Sequence, residues 1–151
     1  MGQMMRSCEF TPPSALSLLY VEDDEFARKI TCKLISLGFP EFVIYQAENG
    51  KVGLELFKEH RPDIVISDIN MPVMDGIQMA GEIRSFSPQA TIIIVTAHSD
   101  KRYIDDIVNM GIAHCVAKPI DHKRLFEAIE ACRTTIDMAQ STNDRRSGAA
   151  G

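Results

Sequence analysis

No apolar run in the sequence approaches the ~20 residues that a membrane-spanning helix needs. The longest, such as Thr91 to Val95, are strand-sized. Met1 to Ala15 has no apolar centre of the kind a secretory signal carries, so neither a membrane partner nor export is expected, and the expected location is cytoplasmic. The four cysteines (Cys8, Cys32, Cys115, Cys132) form no Cys-x-x-Cys pair and lie beside no histidine cluster. That argues against structural zinc and a disulfide framework, and fits reduced thiols. Basic charge is also short: 16 Lys and Arg stand against 21 Asp and Glu, a net charge of −5. Nothing electrostatic invites direct nucleic-acid binding. No segment repeats at a fixed period.

What the chain does have is room for one core. It has 151 residues, 45% hydrophobic and 25% charged, an ordinary balance for a single globular domain. Five short apolar runs recur along it: Leu16 to Val21, Phe42 to Ala47, Asp63 to Ser67, Thr91 to Thr96 and Ile112 to Ala117. Ile64-Val65-Ile66 and Ile92-Ile93-Ile94-Val95 do not alternate with polar residues, as expected of strands covered on both faces. Helical patterns separate the runs. Phe26, Ile30, Leu34 and Leu37 share one helical face; so do Ile104, Ile107 and Val108, and later Leu125, Ile129, Cys132 and Ile136. Lys51 to His60 and Ile77 to Phe86 are weaker but helix-length. Gly38 and Gly111 stand where a helix C′ residue belongs, and Asn49, Asp100 and Asp121 where an N-cap belongs. Pro62 and Pro88 stop helices just before strands.

The expected fold is therefore α/β, with β-α repeated five times around a parallel sheet covered by helices on both faces. Residues 1–15 and 138–151 lack period and are expected as flexible tails around a domain at 16–137. Arg145 to Gly151 reads as a linker or an expression scar.

Ligands of such sheets bind beyond the carboxyl ends of the strands. Glu22, Asp23 and Asp24 follow the first run and Asp68 the third; Thr96 ends the fourth, and Lys118 and Pro119 follow the fifth. If strands one and three are neighbours, two or three carboxylates meet. At an effective dielectric near 20, two such charges ~4 Å apart repel by about 4 kcal/mol. A cluster of that kind needs a cation, a shared proton or both, and hard oxygen ligands suit Mg²⁺. A lysine and a hydroxyl opposite are placed to hold phosphoryl oxygens. Each residue alone has a blander reading: a solvated helix-capping loop, a turn acid, a strand terminus, a surface lysine. Their joint arrival at four strand ends carries the inference.

Leu19-Tyr20-Val21-Glu22-Asp23-Asp24, Asp68-Ile69-Asn70-Met71-Pro72-Val73-Met74-Asp75-Gly76, Val95-Thr96-Ala97 and Lys118-Pro119 together resemble the receiver domain of two-component response regulators, over about residues 16–137. The resemblance implies a doubly wound, flavodoxin-like five-stranded sheet in the order 2-1-3-4-5. It implies Asp68 as phosphoacceptor, with Asp23 and Asp68 binding Mg²⁺ directly, Asn70 through its backbone carbonyl and Glu22 through water. Thr96 would bond one phosphoryl oxygen and Lys118 another, the latter placed by Pro119, whose preceding peptide bond is usually cis in the family. Ala97 would leave access to the aspartate, and Asn70 and His98 would tune hydrolysis of the phosphoryl group. His98 is not expected to bind metal, having no partner at a suitable spacing.

The partners implied are a sensor histidine kinase or histidine phosphotransfer protein, and a downstream output domain or homodimer. No output domain fits in the roughly fifteen residues after the last helical pattern, so the chain is expected to be a stand-alone receiver or a piece of a longer protein, without output enzyme activity. Two positions depart from the family pattern. The acidic pair begins with Glu22 rather than the commoner Asp. The place where a switching Tyr or Phe often stands is Cys115, after His114.

Three other readings remain. A flavin or nucleotide binder of the same topology would need a glycine- or hydroxyl-rich loop after strand one, where Glu22 to Glu25 instead repel phosphate. An aspartyl-phosphate phosphatase would show Asp-x-Asp, where Asn70 stands third. The last is a pseudo-receiver, a protein-binding module independent of phosphorylation, against which Asp23, Asp68, Thr96 and Lys118 together speak.

Overall fold

The computed structural model describes residues 16–150, with side chains for 16–139 other than those of Phe86, His98 and Ser99. The expected N-terminal tail, 1–15, lies outside the described residues, as does Gly151. The elements in chain order are β1 (Ser17–Val21), α1 (Glu25–Gly38), β2 (Val43–Ala47), α2 (Gly50–His60), β3 (Ile64–Asp68), α3 (Gly76–Phe86), β4 (Thr91–Thr96), a 3₁₀ segment (His98–Tyr103), α4 (Ile104–Asn109), β5 (His114–Ala117) and α5 (His122–Ala150). The five strands form one parallel sheet in the order β2-β1-β3-β4-β5. Among the described residues, no helix is long and apolar enough to cross a membrane.

Alternation along the central strands builds two cores. Leu18, Tyr20, Ile64, Ile66, Ile93 and Val95 face α1 and α5, packing with Cys32, Ile35, Leu125, Ile129 and Cys132. Leu19, Val21, Val65, Ile92 and Ile94 face the other way, against Leu54, Phe57, Met79, Ile83 and Ile107. Every residue of β3 is buried, which explains a run that reads apolar throughout rather than alternating. A fully buried side chain of this size contributes ~1.5–3 kcal/mol. The two layers therefore hold the strand ends firmly in place. Asp63 fixes the start of β3 against β1: its Oδ2 accepts the Ser17 N–H at 2.9 Å.

Several expected caps are present. Asn49 accepts the Val52 N–H at 2.9 Å and Asp121 the Lys123 N–H at 3.0 Å. Gly111 has φ +71°, the left-handed conformation that ends α4.

Three expectations need correction. The stripe Phe26, Ile30, Leu37 faces solvent, with Phe26 74% exposed, and Leu34 is only half-buried. The opposite side of α1, with Thr31, Cys32 and Ile35, meets the sheet. Small Cys32 and Thr31 let the helix approach β1, and Phe39 and Phe42 continue that stripe into the core. Gly38 is the last residue of α1 rather than a left-handed C′ residue. A Cβ there would meet the Phe126 ring at 2.5 Å, so close packing of α5 is what requires glycine. Asp100 is not itself an N-cap residue: it is the third residue of the 3₁₀ segment, and its side chain caps that segment from within by accepting the N–H of the N-cap residue Ala97.

The boundary drawn at residue 137 falls inside α5, which continues to Ala150. Residues such as Arg145, Arg146, Ala149 and Ala150 favour helix without any apolar stripe. Packing does end near that boundary. Ile136 lies against the core, while Met138 is 65% exposed.

Candidate functional site

The parallel registers bring the chemistry to one sheet edge. Val21 pairs with Ser67, Asp68 with Val95, and Thr96 with Ala117. The residues that follow β1 and β5 thus stand level with the ends of β3 and β4. Carboxylate oxygens of Glu22, Asp23 and Asp68 all lie within 4.8 Å of one another, Glu22 and Asp68 buried and Asp23 exposed. Asp24, the third member of the acidic stretch Glu22 to Glu25, turns away and caps α1 through the Ala27 N–H.

Asp68 is held at both oxygens. Oδ1 accepts the Ile69 N–H at 2.8 Å, and Oδ2 lies 2.6 Å from Lys118 Nζ. Its main chain is held too: its carbonyl accepts from the Ser67 hydroxyl, and the Gly76 N–H donates to the Ile69 carbonyl at 2.7 Å. A Cβ at position 76 would come within 2.0 Å of the Asp68 carbonyl oxygen, so only glycine lets α3 begin there. The loop between carries a β-branched residue in the left-handed region, Val73 with φ +70°.

Glu22 is tied into β2 by its N–H, which donates to Ala47, and its Oε2 accepts the Asp24 N–H at 3.1 Å. Burial pushes its carboxyl up to about 7; the Asp24 hydrogen bond works the other way, and the charge of Asp68 adds to the rise. Lys118 shows the opposite balance. Burial alone would lower it, but the hydrogen bond and charge of Asp68, with Glu22 and Asp23, raise it overall. The lysine is therefore the fixed cation of the site. It meets only one of the crowded oxygens, and the remaining donors are hard carboxylates with no nitrogen or sulfur among them. That set fits a divalent cation with oxygen preference.

Thr96 ends β4, half-buried, and its carbonyl accepts the Lys118 N–H at 2.7 Å. Ala97 and Lys118 line the same groove as Thr96, and the Lys118–Pro119 bond is cis. Asn70 lies beyond β3, with its side-chain amide donating to Asp100. The side chain of His98 lies outside the described residues. Cys115 is exposed on β5 and lines the groove of about 430 Å³ between α4 and β5, with Ile104 and Val108. Sequence reasoning missed Asp100, which is buried and hydrogen-bonded to both loops. An acid four residues past Thr96 reads in sequence as a helix cap, which it is for the 3₁₀ segment; nothing local signals its second bond, to Asn70.

A doubly wound parallel sheet with three acids facing a lysine across its carboxyl edge defines an acidic, cation-type site of the response-regulator kind. The comparisons agree. A family model described as the response regulator receiver domain matches residues 18–130, and the chain belongs to that family. It is 39% identical over 113 residues to the chemotaxis protein CheY of Bacillus subtilis, covering 74% of this chain and 92% of that one. It is 32% identical over 120 residues to the probable C4-dicarboxylate response regulator DctR of Priestia megaterium, covering 80% of this chain but only 53% of that protein. Among solved structures, the N-terminal domain of an uncharacterized protein from Wolinella succinogenes superposes with a TM-score of 0.76 at 35% identity, over 83% of this chain and 99% of that one.

Proposed function

We propose that this receiver domain takes a phosphoryl group onto Asp68 from a phosphohistidine, on a sensor histidine kinase or a histidine phosphotransfer protein, with Mg²⁺ as cofactor in the cytoplasm. The observation that carries this is the position of Asp68 between Lys118 at 2.6 Å and the two acids Glu22 and Asp23.

An Asp68 carboxylate oxygen attacks phosphorus, the new O–P bond forms as the P–N bond breaks, and the imidazole leaves with its electron pair. Lys118 gives up its contact with Asp68 to neutralise a phosphoryl oxygen. The Thr96 hydroxyl donates to another. Asp23, Asp68 and the Asn70 carbonyl would hold the ion, and Glu22 would hold its water. Mg²⁺ would supply charge neutralisation for both the carboxylates and the transferring group. Water later attacks phosphorus and returns Asp68 to the free carboxylate. Ala97, small beside Thr96, leaves that centre open to donor and water. The conformational response passes to an output domain or a second copy.

The test is labelling by a small phosphodonor with Mg²⁺. The parent should gain one phosphoryl group and Asp68→Ala none. Equal labelling of the variant would overturn the assignment.

A further inference from the structure

Asp100 is a carboxylate 3% exposed that the chemistry above does not use. Its Oδ1 accepts from the Asn70 side-chain amide at 2.7 Å and its Oδ2 from the Ala97 N–H at 2.7 Å. Asn70 is two residues past Asp68, and Ala97 is one past Thr96. One buried side chain therefore ties the loop after β3 to the loop after β4. Burying a carboxylate is unfavourable unless its oxygens are satisfied. Both are: one by Asn70 in the loop after β3, the other by Ala97, the N-cap residue of Asp100's own 3₁₀ segment after β4.

We propose that Asp100 is a positioning residue: its carboxylate holds the two loops in their resting arrangement and thereby limits the rate at which Asp68 is phosphorylated. This rests on Asp68 being the phosphoacceptor. For Thr96 to close on a phosphoryl group, the Thr96–Ala97 segment has to shift. The Ala97 N–H is anchored, so the shift either breaks that bond or drags Asp100. Asp100 sits inside the 3₁₀ segment at a non-helical backbone position, φ −92° and ψ 18°. That kink lies within the 3₁₀ segment that runs straight into α4, four residues before Ile104, and Ile104 and Val108 of α4 face the groove shared with Cys115. A pull on Asp100 therefore reaches α4 without any aromatic side chain. The same carboxylate fixes the Asn70 amide, so releasing it frees a polar group two residues from the phosphoacceptor.

The experiment measures phosphorylation by phosphoramidate and subsequent hydrolysis, at fixed Mg²⁺, in the parent, Asp100→Asn, Asp100→Ala, Asn70→Ala and the Asp100→Ala/Asn70→Ala double variant. Each phosphorylation breaks the donor P–N bond, releases ammonia and forms one Asp68 O–P bond. Asp100→Ala should phosphorylate at least threefold faster than the parent. Asp100→Asn, which retains an acceptor oxygen for one of the two bonds, should show a smaller rise. In the double variant, the effect should fall short of the product of the two single effects, because both remove the same link. Binding of Mg²⁺ should stay within twofold of the parent in the Asp100 variants, which a general loosening of the site would not allow. An unchanged or slower rate in Asp100→Ala, or effects that multiply, would overturn the proposal. If Asp100→Ala does not fold, the isosteric Asp100→Asn decides by the same criterion. Absence of any labelling in the parent would overturn the phosphoacceptor reading itself; labelling of the parent with unaltered Asp100 variants overturns only the clamp.

Discussion

Lys118 Nζ lies 2.6 Å from Asp68 Oδ2, while the other Asp68 oxygen accepts the Ile69 N–H. The lysine side chain is about one-third exposed and the aspartate almost fully buried. The pair is thus half-screened on one side and dry on the other, and the lysine is the neighbour that solvent lets go most easily.

Lys118→Ala should therefore separate two properties. Removing the one facing cation should tighten Mg²⁺ binding, because less positive charge competes for Asp68. It should also slow phosphorylation at least tenfold, in line with the loss of one charged contact to a developing transition state. Titration with Mg²⁺ and labelling kinetics check the two halves independently.

Glu22 makes metal-free stability depend on pH. Its carboxyl stands at about 7 in the fold, against an ordinary value of 4.5. Between those values the folded state binds more protons than the unfolded one. The favourable contribution is complete below about 4.5 and is lost as pH rises through about 7, by at most about 3 kcal/mol. Melting without metal should fall between pH 5 and pH 8, and Glu22→Gln should flatten that slope. Mg²⁺ should stabilise the parent far more at pH 8 than at pH 5. Identical melts with and without Mg²⁺ at pH 8 would be the contrary result.

Val73 stands at φ +70° and is 75% exposed. A β-branched residue there carries backbone strain of about 1–2 kcal/mol with little packing to lose. Val73→Gly should raise stability by about 1 kcal/mol in chemical denaturation, and Val73→Ala by much less.

Cys115 fills little of the groove beside it. A tyrosine or phenylalanine there would bury enough apolar surface for up to about 3 kcal/mol, and the thiol can gain only a small part of that. Amide shifts induced by a beryllofluoride mimic should be similar in the parent and Cys115→Ala, and concentrated between Ala97 and the start of α4. A large response in the parent that disappears in Cys115→Ala would make the cysteine itself the switch.

The strands and the strand-end chemistry were legible because two-sided burial leaves runs such as Ile92 to Val95 with no polar interruption. Glu22, Asp23, Asp68 and Lys118 follow from those runs by position alone. The α1 helix was legible, but which of its faces meets the sheet was not, for a physical reason. Helical period shows that Phe26, Ile30 and Leu37 share a face, but not that this face meets the sheet, and α1 carries a second stripe through Cys32 and Ile35. The packing role of Gly38 and the second bond of Asp100 were not legible because their partners, Phe126 and Asn70, are distant in sequence, whereas the capping bond of Asp100 to Ala97 is local. Local signals describe caps well and long-range contacts not at all.

Gly76 sets which half of the site yields. Between the start of α3 and the Asp68 carbonyl there is space for a hydrogen atom and nothing larger. Across the chain, Gly50 meets the Met74 carbonyl just as closely, with a Cβ there 2.3 Å from its oxygen. The phosphoacceptor, the loop that follows it and the heads of two helices are therefore wedged into one stiff block. New charge on Asp68 has no room to displace that block. The work it does falls on the opposite bank, where Thr96 and the 3₁₀ turn offer the softer resistance. The direction in which a signal leaves the site is thus fixed by the absence of two methyl groups.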